Sequence, residues 1–174
     1  MAIRRALILG GTGMLTHCTS ALIAEGWHVV VPSRRYAPLP AEGGVGRALW
    51  VEADWSDPED VAARAGRALG GEADLLVAWV DGHSREPILR AVVPLLSPEA
   101  PVVEVHSAAD PVRGTPDPVI DHPTQQVVLG TMTERGASRW LTQQEIAESV
   151  LDAVRRGLAG RAPGVHQIGV ARVG

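Results

Sequence analysis

The sequence predicts an α/β fold, a doubly wound parallel sheet in a single domain spanning residues 1–174. Three observations carry this. Short apolar runs alternate with helical patterns along the chain, at spacings that suit parallel strands and their crossover helices. The run at 74–80 is apolar almost throughout, as a strand covered on both faces must be. The first run ends in Gly10-Gly11-Thr12-Gly13 and opens at once into a helical pattern. A chain of 174 residues is one domain, and burying about 70% of its unfolded surface makes a core that needs no disulfide or metal staple.

The elements follow in order. Ala2–Leu9 reads as the first strand and Met14 to Ala24 as a helix stopped by Gly26. Trp27–Val31 is a second strand, ended by Pro32, and the Pro-, Ala- and Gly-rich residues 37–46 form a loop. Ala48–Ala53 is a third strand. Ser56-Asp57-Pro58-Glu59 fits a capping box with Ser56 as the cap, opening a helix that runs through Val61 and Leu69 to Gly70-Gly71. After the strand at 74–80 comes a helix over 86–96, which Pro94 must end or bend. Pro101–Val105 and Gln126–Thr131 are further strands. Thr142-Gln143-Gln144-Glu145 is a second capping box, and its helix aligns Ile146, Val150, Val154 and Leu158 on one face before a last strand at 165–170.

Composition excludes several functions. The net charge is −4, and all 16 basic residues are Arg; Lys, Phe and Asn are absent. Without lysine there is no Schiff base, no P-loop lysine and no lysine acid. A mildly acidic chain with scattered Arg lacks the basic stripe of a nucleic-acid binder. Its longest apolar runs are far too short to span a bilayer. Met1 leads straight into a strand with no signal-peptide pattern, and the single Cys suits a reducing compartment, so the expected location is the cytoplasm. No set of His, Cys or carboxylates has metal-ligand spacing. His17 and Cys18, one turn into the first helix, are expected to pack in the interior.

The glycine turn is placed where a dinucleotide fingerprint must lie, between first strand and first helix. Gly10 permits the tight turn, and Gly13 lets the backbone approach a pyrophosphate resting on the helix N-terminus, with Thr12, Met14 and Leu15 beside it. Thr16 stands where a third glycine would fall. After the second strand, where an NAD-binding chain carries a carboxylate for the ribose 2′-hydroxyl, this one has Ser33-Arg34-Arg35. A carboxylate there repels a 2′-phosphate, whereas a guanidinium grips it. The expected cofactor is therefore NADP(H), with NAD(H) second.

Gly10–Leu15, Val51-Glu52-Ala53-Asp54 and the strand at 74–80 together resemble the short-chain dehydrogenase/reductase superfamily, a Rossmann-like fold, in strand order over nearly the whole chain. The resemblance implies that Asp54 contacts the adenine amino group. It also implies that Ala78, Trp79 and Val80 lie along the cofactor, with Trp55 close by. Typical members carry a serine at the end of the fifth strand and Tyr-x-x-x-Lys on the next helix. Ser107 matches the serine. There is no lysine, the one tyrosine, Tyr36, falls on the adenosine side, and Pro111, Pro116, Pro118 and Pro123 rule out a regular helix over 108–125.

A loop there brings His106, Asp110, Asp121 and His122 near the carboxyl ends of the strands, where His106 with Ser107 can donate a proton to a reduced substrate. Asp81-Gly82-His83-Ser84 forms a second polar cluster at that edge. Residues 136–142, leading into the last helix, are similar to the C-terminal stretch of small atypical members such as biliverdin-IXβ/flavin reductases. Trp140 either closes the site or packs in the core. Two functions stay open: a reductase passing hydride from NADPH to a small conjugated or carbonyl acceptor without a Tyr/Lys pair, and a noncatalytic NADP(H) sensor. The partner is a small molecule, with no nucleic acid and no membrane; homo-oligomerisation is left open, because the helix that usually builds the family dimer is missing.

Overall fold

The computed structural model describes residues 3–10, 15–34, 46–80, 82–107 and 115–169. Seven strands form one fully parallel sheet: β1 (Arg5–Leu9), β2 (His28–Ser33), β3 (Arg47–Glu52), β4 (Leu75–Ala78), β5 (Val102–His106), β6 (Thr124–Leu129) and β9 (Gly164–Ile168). Their order is β3-β2-β1-β4-β5-β6-β9. The chain therefore winds one way from β1 to β3 and the other way from β4 onward, leaving a crevice above the carboxyl ends of β1 and β4.

Two layers of helix bury the sheet. Helices α1 (Thr16–Ala24) and α4 (Gln143–Leu158) cover one face, meeting Ile8, Val77, Val103, Val105 and Val127. Helices α2 (Pro58–Leu69) and α3 (Arg85–Val92) cover the other, over Leu7, Leu9, Leu76, Ala78 and Val102. Alternate residues of each strand supply the two cores, as the two-residue strand period requires.

Several local expectations change. Pro32 lies inside β2 rather than ending it: Val31, Pro32 and Ser33 pair with Trp50, Val51 and Glu52. Pairing with β1 stops at Leu7↔Val30, so the missing proline N–H points to the side where the ladder has already ended. The cap of α2 is Asp57, whose Oδ1 accepts from the Asp60 N–H at 3.2 Å, and not Ser56. Ser56 instead donates from its N–H and its hydroxyl to Asp54 Oδ1, at 3.0 and 2.9 Å. At α4 the expected box is complete, Thr142 Oγ1 accepting from Glu145 N–H and Glu145 Oε1 from Thr142 N–H. Pro94 falls in a 3-10 turn, Val93–Leu95, which ends α3.

Residues 136–142 do not simply lead into the last helix. Strands β7 (Thr131–Glu134) and β8 (Ala137–Trp140) form an antiparallel hairpin between β6 and α4. Its turn residues Arg135 and Gly136 have φ of 51° and 80°, the left-handed pair that matches the twist of a two-residue hairpin loop. Residues 115–123 form no helix or strand, in keeping with their prolines. Cys18 is buried and its thiol is pushed up to about 12 by desolvation, whereas His17 is exposed, against the expectation that both pack inside.

Candidate functional site

Gly10 follows β1 and Trp79 follows β4, side by side at the crevice. Gly10 has φ 78°, and a β-carbon there would run into the Trp79 carbonyl oxygen. The Trp79 N–H donates back to the Leu9 carbonyl at 3.0 Å. The turn thus needs glycine twice over, for its backbone angle and for its closeness to β4. Leu15, the N-cap of α1, is buried. Among the described α-helices, α1 alone has neither a side-chain cap nor an acidic residue in its first turn. Thr12, Gly13, Met14, Arg35, Tyr36, Asp81 and Asp110 lie outside the described residues.

On one side of Gly10 is a cleft of about 320 Å³ lined by Arg34, Glu52, Ala53, Asp54, Asp60 and Arg64. Ser33, buried at the end of β2, holds the floor by accepting from the Ala53 N–H at 3.0 Å. Asp54 is exposed, and its carboxyl is held below the usual range, first by the Ser56 N–H and hydroxyl and then by the charge of Arg34. Both Ser56 bonds fall on Oδ1. Arg64 is paired with Asp60 at 2.8 Å. Trp55 packs against the α2–α3 core and does not line the cleft.

On the other side is a cavity of about 220 Å³ lined by Trp79, Ser107, Leu129, Gly130, Trp140, Leu141 and Ile146. It stands at the carboxyl ends of β4, β5 and β6, with Trp140 of the hairpin in its wall. Ser107 is exposed and faces it. His106 does not line it: alternation along β5 turns His106 to the α2–α3 face with Val102 and Glu104, and it is 6% exposed. Of the three residues expected along the cofactor, only Trp79 lines the cavity, while Ala78 and Val80 belong to the α2–α3 core. Trp140, 68% exposed, is no core residue. His83 is exposed in the 3-10 turn 82–84. His122 Nδ1 bonds the Ala100 carbonyl at 2.9 Å, and Asp121 is exposed.

Three features of the site escape a reading of the sequence: Arg64 in the cleft, the wall of Leu129, Gly130, Leu141 and Ile146, and the Glu104–Arg85 pair behind β5. Arg85 Nη2 meets Glu104 Oε1 at 2.7 Å, and burial raises the Glu104 carboxyl above its usual range despite the arginine. The signal available for Arg64 was its position one turn beyond Asp60 on α2.

No protein-family model matches the chain, and no curated protein matches it in sequence. Solved structures do. An NADH-dependent reductase, A1-R′, in complex with NAD superposes with TM-score 0.70 at 16% identity, over 96% of this chain and 95% of that one. A short-chain type dehydrogenase/reductase from Mycobacterium ulcerans gives TM-score 0.70 at 12% identity, over 97% and 90%. The short-chain dehydrogenase/reductase of Serratia marcescens gives 0.64 at 15%, over 95% and 96%. The chain has the Rossmann-like fold of the short-chain dehydrogenase/reductases. Among the described residues no cluster of His, Cys, Asp or Glu is arranged to hold a metal ion, and no helix is long and apolar enough to cross a membrane.

Proposed function

We propose that the protein is an NADPH-dependent reductase acting on a small conjugated or carbonyl acceptor without a tyrosine–lysine pair. The observation that supports this best is the glycine turn at Gly10, seated against Trp79 between two separate hollows. One hollow is polar and charged, the other largely apolar, which suits the two ends of a dinucleotide lying across the crevice. The structural neighbour A1-R′ carries NAD in its complex.

The adenosine end is assigned to the polar cleft, with Asp54 Oδ2 accepting from the adenine amino group. Arg34 gives the preference for NADP(H). It enters no ion pair with a described residue, so its guanidinium is available to a 2′-phosphate. Of the carboxylates lining the cleft, Asp60 is paired with Arg64, while Glu52 and Asp54 share the cleft with Arg34, whose charge acts on Asp54. The pyrophosphate falls to the Gly10–Leu15 turn and the uncapped start of α1. Arg35, Thr12, Gly13 and Met14 keep the roles the sequence proposes for them, as do the backbones of Ser33, Ala78 and Val80.

When bound, NADPH supplies a hydride, two electrons and one proton, at the cavity. The chain's part is to position the acceptor, exclude water with Trp79, Leu129, Leu141 and Ile146, and offer the Ser107 hydroxyl to the acceptor oxygen. The second proton comes from water, directly or past Ser107; His106 stands one residue behind.

Titration of the purified protein with NADPH and NADH, followed by tryptophan fluorescence, tests binding; NADPH oxidation with quinones and flavins tests turnover. Tight NADPH binding with no oxidation across the acceptor panel would replace the reductase by a noncatalytic NADP(H) sensor, a reading that the missing tyrosine–lysine pair favours. Absence of binding would remove both. A cytoplasmic setting and a small-molecule partner belong to the same proposal.

A further inference from the structure

The β7–β8 hairpin presents Trp140 at the mouth of the apolar cavity, and one guanidinium holds it there. Arg139 Nε donates to Glu134 Oε2 at 2.8 Å within the hairpin. Its Nη1 donates to Glu145 Oε1 at 2.8 Å and its Nη2 to Glu145 Oε2 at 3.3 Å, a two-pronged contact with the first turn of α4. The same Nη1 donates to the Trp140 carbonyl at 3.0 Å, so the guanidinium grips the backbone of the tryptophan itself. These bonds draw the Glu145 carboxyl down to about 2. A free-standing hairpin of two four-residue strands is marginal in water, so its position depends on such tethers.

The wall it completes has a definite chemistry. Trp79 and Trp140 line the cavity with Leu129, Leu141 and Ile146; among the described residues lining it, Ser107 is the one hydroxyl and no side chain is charged. Trp140 lines the cavity and yet keeps 68% of its surface in water, an exposure that a flat ligand against the indole would reduce. We infer that Trp140 selects the acceptor, that Arg139 is its positioning residue, and that the acceptor is a flat, uncharged aromatic ring system bearing a carbonyl. This rests on the reductase reading above and adds the class of substrate and the residue that chooses it.

The probes are 1,4-naphthoquinone and its charged counterpart 1,4-naphthoquinone-2-sulfonate, used with the full chain and NADPH. Reduction to the hydroquinone takes one hydride from NADPH, which leaves as NADP+, and one proton from water. The neutral ring should be favoured in kcat/KM by tenfold or so, the order of one lost stacking or desolvation contact. Trp140→Ala should raise KM for naphthoquinone about tenfold, with a much smaller change in the Kd of NADPH, and Trp140→Phe should restore most of it. Arg139→Ala should raise KM in the same direction with little loss of kcat and an unchanged melting temperature. Calorimetric binding of naphthoquinone to each variant keeps the two readings apart. If the wild type never oxidises NADPH but binds the ring in a Trp140-dependent way, the reductase reading fails and the assignment of the wall stands. Equal KM and equal binding in wild type and Trp140→Ala, or preference for the sulfonate, would overturn the assignment.

Discussion

Arg85 and Glu104 meet at 2.7 Å behind the site, and the same Arg85 Nη2 donates to the Asp117 carbonyl at 3.2 Å. One guanidinium thereby joins α3, the interior strand β5 and the proline-rich segment before β6. Glu104 is 3% exposed, and its Oε2 has no partner among the described residues, so the arginine is its main compensation. Arg85→Ala would leave that carboxylate buried alone. The expected loss is about 3–5 kcal/mol, read from urea midpoints, whereas Arg85→Met combined with Glu104→Gln should lose much less. A loss under about 1 kcal/mol for the single variant would mean that water already reaches Glu104.

Gly10→Ala faces two obstacles, a left-handed backbone angle and the Trp79 carbonyl. The first costs about 1 kcal/mol and the second forces β1 and β4 to shift, so a fall of about 2 kcal/mol or more in unfolding free energy is expected. NADPH affinity should fall with it. A variant as stable as the wild type would show that the turn relaxes without strain.

Arg34→Ala separates the two nicotinamide cofactors. Loss of a charge-assisted hydrogen bond to a phosphate, about 1.5–3 kcal/mol, should weaken NADPH by about tenfold to a hundredfold and leave NADH nearly unchanged. Equal losses for both, in the same fluorescence titration, would place the 2′-phosphate elsewhere.

His166 gives the protein a pH dependence. Its Nε2 bonds Gln125 Oε1 at 2.7 Å, tying β9 to β6, and desolvation followed by the charge of Arg156 lowers its pKa below the usual 6.5. The unfolded chain therefore takes up the proton first. Stability from this group is complete above about pH 6.5 and declines as the pH falls through that value toward the lower folded one. Denaturant midpoints between pH 8 and pH 5 should fall, and His166→Gln should flatten that part of the curve. An unchanged slope in the variant would assign the effect to other groups.

Much of the molecule was legible in order along the chain. Alternating apolar runs, the box at Thr142–Glu145 and the glycine turn at Gly10 depend on residues a few positions apart, and each stands in the structure as expected. The cap at α2 was misread because Ser56 had a competitor: Asp54, two residues earlier, takes both its N–H and its hydroxyl. The hairpin was missed because a pair of four-residue strands carries little alternation, with Arg135-Gly136 its clearest mark. A proline such as Pro32 reads as a strand end along the chain, and only the register against β1 and β3 shows that its lost donor would have had no acceptor.

The parallel α/β architecture, the glycine at the β1 turn, the arginine after β2 and the absence of any Tyr-x-x-x-Lys pair can all be read along the chain. Packing in three dimensions sets Ser107 and not His106 on the cavity, Trp140 in its wall and Arg85 against Glu104. The two differ in range. Periodicity, caps and turns are settled by neighbours within a helical turn, but which side chains face one another across strands follows from register and from the side of the sheet each strand residue points to.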